Sequence, residues 1–124
     1  MPATDSISNS DSILNSIKKL IGLDPDYTEF DTDLIIHINS VFLDLEQLGA
    51  GSQEGFFIEG STETWEDFLP DDPLVLNSIK SYMYLKVKKL FDPPTSSSAM
   101  DSLNSLIDRF EWRINVAIEN KDST

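Results

Sequence analysis

Apolar residues recur along the chain in four stretches at the three- and four-residue steps of one helical face. The first holds Ile13, Ile17 and Leu20, with Leu14 and Ile21 beside them. Gly22 ends it, and Asp24-Pro25-Asp26 reads as a turn, because the residue before a proline is pushed out of the helical region. The second offers Thr28 or Asp31 as N-cap and continues through Leu34/Ile35, Ile38, Val41/Phe42, Leu45 and Leu48 to Gly49-Ala50-Gly51. Asp72-Pro73 opens the third, an acidic cap followed by proline at the position where no backbone donor is missed. Its stripe is Leu76, Ile79, Met83, Val87 and Leu90, widened by Val75, Tyr82 and Leu85, and Asp92-Pro93-Pro94 stops it after Phe91. Ser98 with Asp101 has the form of a capping box for the fourth, which carries Leu103, Leu106/Ile107, Phe110, Ile114 and Ala117/Ile118.

Residues 49–72 lose the helical period. Phe56-Phe57-Ile58 is a β-favouring run between Gly55 and Gly60, long enough for one arm of a hairpin. Thr62 to Phe68 fits one helical turn that sets Trp65 and Phe68 on the same side. The expected fold is therefore all-α: a small bundle of four helices with an aromatic loop or β-hairpin insertion between the second and third. Residues 1–9 read as a flexible tail, 10–119 as a single domain and 120–124 as a frayed end.

Composition changes this picture mainly through charge. Asp and Glu number 22 against 9 Lys and Arg and one His, for a net charge of −13 in 124 residues. Nucleic-acid affinity rests mostly on Lys and Arg displacing counterions, so a general DNA-binding domain is not expected. The excess is also uneven: from Asp24 to Asp72 there are fourteen acids and no Lys or Arg. An apolar fraction of 40% still supplies a core. No cysteine is present, which removes disulfides, thiolate chemistry and Cys-bound zinc. The start of the chain lacks a signal-like apolar run, and no membrane segment is expected.

Motifs for chemistry are missing where they are sought. His37 is the single histidine and flanks an apolar stripe, so it reads as a boundary residue rather than a catalytic one. A calcium loop starting at Asp24 would put Glu29 where glycine is needed and Ile35 where the bidentate glutamate belongs. Gly49, Gly51 and Gly55 are wrongly spaced for a dinucleotide fingerprint. No enzyme, cofactor or metal is expected. Aromatics off the core stripes stand out instead. Trp112 lies about 200° around the helix from Phe110, so one of the pair is available to a partner. Trp65, Phe56 and Phe57 sit in the insertion, and Arg109 and Arg113 share one helical face, placed to pair with acids of the same chain or of a neighbour.

Three segments in order carry a resemblance: Thr64-Trp65-Glu66-Asp67-Phe68-Leu69, Tyr82 through Phe91-Asp92-Pro93-Pro94-Thr95, and Glu111-Trp112-Arg113-Ile114-Asn115. Over roughly residues 10–120 the chain resembles the head-tail connector (adaptor) proteins of long-tailed phages infecting Gram-positive bacteria, often labelled DNA-packaging proteins. The resemblance implies a non-enzymatic protein of the virion neck, made in the host cytoplasm, that self-associates into a ring beneath the portal protein. It further implies that genomic DNA passes through the channel without specific binding, that a downstream neck (stopper) protein docks on the ring, and that a C-terminal helix reaches toward the portal. Matching positions are Trp65, Glu66, Asp67, Phe91, Asp92, Pro93, Pro94, Glu111, Trp112 and Arg113; with Phe56, Phe57 and Arg109 they form the expected interface set. Acids lining such a channel would keep DNA from adhering. The competing reading from the charge alone is an acidic DNA mimic that occupies the DNA site of a host enzyme.

Overall fold

A computed structural model describes residue 8 and residues 10–51, 54–70 and 72–122, the side chains of 121 and 122 excepted. Apart from Ser8, the expected tail over residues 1–9 lies outside the described residues, as do 123 and 124. Among the described residues five helices follow one another: α1 (Ile13–Leu20), α2 (Asp31–Gln47), α3 (Trp65–Phe68), α4 (Pro73–Phe91) and α5 (Ser97–Asp122).

Several helix ends have an identifiable cause. The Ser12 hydroxyl accepts from the Asn15 N–H at the start of α1, and Asp72 accepts from the Val75 N–H ahead of Pro73 in α4. At the end of α2 the Gly49 N–H donates to the Glu46 carbonyl at 3.0 Å and the Ala50 N–H to Leu45 at 2.9 Å. That double closure needs a left-handed residue between its donors, which Gly49 supplies at φ +91°. Ala50, which follows this turn, is buried in the core.

Two starts differ from expectation. Phe30, not Thr28 or Asp31, precedes α2 and makes no side-chain cap bond. Asp31 is instead the first helical residue, and its carboxylate accepts from Lys18 Nζ at 2.8 Å. Lys18, only 1% exposed, also donates to the Pro25 carbonyl at 2.8 Å, so the ammonium buried under the α1–α2 turn is paired. In α5 the cap is Ser96, whose hydroxyl accepts from the Ala99 N–H at 3.1 Å; Ser98 and Asp101 lie inside the helix rather than capping it.

Helix α4 is the hub, packing against α1, α2 and α5. Its buried residues Leu76, Ile79, Lys80, Tyr82, Met83, Leu85 and Val87 sweep about 220° of its circumference, enough to face three neighbours. By contrast the buried positions of α5, Leu103, Ile107 and Ile114, fall within about 40°. The helix lies on the core along a narrow line and leaves most of its girth to solvent.

Among the described residues there is no strand, and the hairpin alternative for the insertion does not form. Phe56–Ile58 belongs to neither helix nor strand, and the partner of its Ile58 backbone groups is a side chain. Asn39 on α2 accepts from the Ile58 N–H at 2.7 Å and donates Nδ2–H to the Ile58 carbonyl at 2.9 Å. Asn39 thus satisfies both backbone groups that a neighbouring strand would otherwise take up. The expected helical turn is present as α3, opened by a reciprocal capping box between Thr64 and Asp67. An isolated antiparallel bridge between Ser12 and Thr64 ties the insertion to the start of α1.

Candidate functional site

The insertion aromatics divide into inside and outside. Trp65 has no exposed surface; its Nε1–H donates to Ser16 Oγ at 3.2 Å, and Lys80 Nζ lies 5.9 Å from the ring centre. Trp65 is therefore an anchor of the core and not a surface residue, because α3 turns it inward between α1 and α4. Phe56 is half-buried and closes a triangle with Phe42 and Phe68, centroids 5.0, 4.8 and 5.4 Å apart. Glu66 and Asp67 are exposed, and the Asp67 carboxylate is already engaged by the Thr64 N–H at 2.9 Å. Phe57 points the other way and is 62% exposed.

Beside Phe57 lies an open groove of about 570 Å³ along the outer side of α2. Ile36, 61% exposed, and Leu43, 62% exposed, form its apolar floor, and Glu46 and Glu54 stand along it. Neither Ile36 nor Leu43 is among the sequence-derived candidates. Their signal was present: they are seven residues apart on the side of α2 opposite Ile38, where a helix with a single buried face carries polar residues.

The Phe91–Pro94 segment forms a different corner. Phe91 packs edge-on against Phe30 at 5.2 Å, and Phe30 against Tyr27 at 5.8 Å. Asp92 and Pro93 are exposed there, Pro94 is half-buried, and Lys88 lies 3.6 Å from the Asp92 carboxylate. On α5 the four candidates split. Glu111 turns toward α4 and accepts from the Tyr82 hydroxyl at 3.0 Å. Burial first, then that hydrogen bond and the charges of Glu111 and Asp44, push the Tyr82 phenol well above its ordinary pKa. Trp112, 66% exposed, faces outward with Arg109 and Arg113. Arg113 rests over the Phe110 ring at 5.2 Å, and among the described residues neither arginine forms an intrachain ion pair.

The candidates thus do not converge on one cleft. They mark an α5 outer face, a Phe91–Pro94 corner and, through Phe57, the α2 groove. Among the described residues no group of three or more His, Asp or Glu is placed to hold a metal ion, and no helix is long and apolar enough to cross a membrane. No curated protein and no solved structure matches the chain. A family model described as phage connector protein matches residues 13–121. Since that span begins with the first residue of α1 and reaches the last turn of α5, the chain belongs to the phage connector protein family.

Proposed function

We propose that this chain is a non-enzymatic structural protein of the phage neck. Copies assemble as a ring beneath the portal protein, extend the channel through which genomic DNA passes, and present a platform for the next neck protein. The observation that carries the reading, beside family membership, is the form of α5: 26 residues long, seated on a narrow apolar line, with Trp112 held out in solvent. Trp112 stands exposed beside Arg109 and Arg113, and aromatics and arginine are the usual anchors of protein interfaces. Residues 10–119 act as one connector domain, and the last turns of α5 reach toward the portal. Acidic side chains line the lumen, where they keep DNA from adhering; an assembled ring lined by Lys and Arg would overturn that part. The family match lends no support to an acidic DNA mimic.

Negative-stain microscopy and mass photometry of the purified chain, with and without the portal protein, test the reading. Annular assemblies on the portal are the expected result. A monomer that persists and never associates with the portal overturns it.

A further inference from the structure

The proposed ring leaves open which surfaces of adjacent copies meet, and two faces of this chain fit each other. On α5, Leu106, Arg109, Trp112 and Arg113 are all exposed and cluster on the side away from Ile107 and Ile114. Asp101, Asp108 and Glu119 lie about 80 to 100° from Arg109, on the far flank of Trp112, and Glu111 turns toward α4, so Leu106, Arg109 and Arg113 form a cationic and apolar strip with Trp112 at its edge. The α2 groove is its converse: apolar along Ile36, Leu43 and Phe57, carrying Glu46 and Glu54, and drawn wholly from the segment without Lys or Arg.

We propose that the outer face of α5 in one copy docks in the α2 groove of the next. Trp112 packs on Leu43 and Phe57, and the two guanidinium groups meet Glu46 and Glu54. Neither surface pairs well with itself, because two copies of the α5 face oppose arginine to arginine and two copies of the groove oppose acid to acid. The contact is therefore heterologous. Each copy offers one of each face, so the contact propagates from copy to copy and closes when the rotation allows. This pairing rests on the neck reading for its setting, but it is tested separately.

The cysteine-free sequence allows a direct experiment. Two full-length chains are prepared, Leu43→Cys and Arg109→Cys, and treated with a short thiol-reactive crosslinker alone and mixed, in the presence of the portal protein. A crosslinked dimer that forms in the mixture and not from either chain alone is the expected result. Reversing the arginines (Arg109→Glu with Arg113→Glu) raises the concentration needed for assembly about tenfold or more, and adding Glu46→Arg with Glu54→Arg restores it. All these positions are exposed, so circular dichroism of each variant matches the parent. Portal-bound assemblies that lack the mixed crosslink, or a crosslink from one chain alone, overturn the pairing and leave the neck reading standing. Absence of any association, with portal or between copies, overturns both.

Discussion

The two tryptophans separate stability from surface. Trp65 fills the junction of α1, α3 and α4 with no exposed area, so Trp65→Ala leaves a large cavity and orphans the Ser16 contact. Its expected cost is about 3–5 kcal/mol in urea unfolding. Trp112→Ala removes a mostly solvated ring and shifts the same measurement by no more than about 0.5 kcal/mol. The sequence alone could not assign these roles. Trp65 lies in an aperiodic segment where no stripe tells inside from outside, whereas the offset of Trp112 from Phe110 announced that one of them faces out. Tyr82 adds a pH signature. Its folded pKa is raised above the ordinary value of 10.0, so its contribution is complete below about pH 10 and is lost as pH rises beyond that. Lys80 acts in the opposite sense: burial, partly offset by Asp11, lowers its pKa, so losing its proton relieves a penalty as pH climbs. Tyr82→Phe therefore flattens the alkaline limb of the stability curve, and thermal melts between about pH 9 and 11 check this.

At the scale of elements, the helices were legible because their apolar periods are long, even though α2 and α5 do not open at the caps the sequence offers. Leu34 through Leu48 and Asp72-Pro73 through Phe91 fall where the pattern puts them. The β-favouring Phe56–Ile58 run misled because strand propensity reports fit to a neighbour, and here the neighbour is Asn39 on a helix. A helical asparagine reads as solvent-facing until the chain that crosses it is known. Asn39→Ala strands the Ile58 N–H and carbonyl and is expected to cost about 1–3 kcal/mol. Hydrogen exchange at Ile58 should accelerate more than exchange in the middle of α4, since the insertion loosens before the hub does. Equal acceleration at both sites would mean that Asn39 supports the whole fold rather than the insertion. The α2 groove was legible only in part: Ile36 and Leu43 stand out as apolar on the side of α2 opposite Ile38, but the period does not show that Phe57 comes to lie beside them.

For the whole molecule, the net charge of −13 understates the asymmetry that solvent meets, because Lys18 and Lys80 are buried. Self-repulsion among the remaining surface acids opposes the compact state, and salt screens it. The melting temperature should rise between about 20 mM and 500 mM sodium chloride, where the Debye length shrinks from roughly 20 Å to 4 Å. A fall over that range would show that the Lys86–Asp44 and Lys88–Asp92 pairs outweigh the repulsion. Finally, the sequestered and the solvated indole make the chain its own optical probe. Trp65 emits from an apolar site shielded from iodide, while Trp112 emits from water and is open to quenching. Unfolding shifts the first emission, and burial of α5 against a neighbour shifts the second, so one unlabelled sample distinguishes loss of fold from loss of assembly.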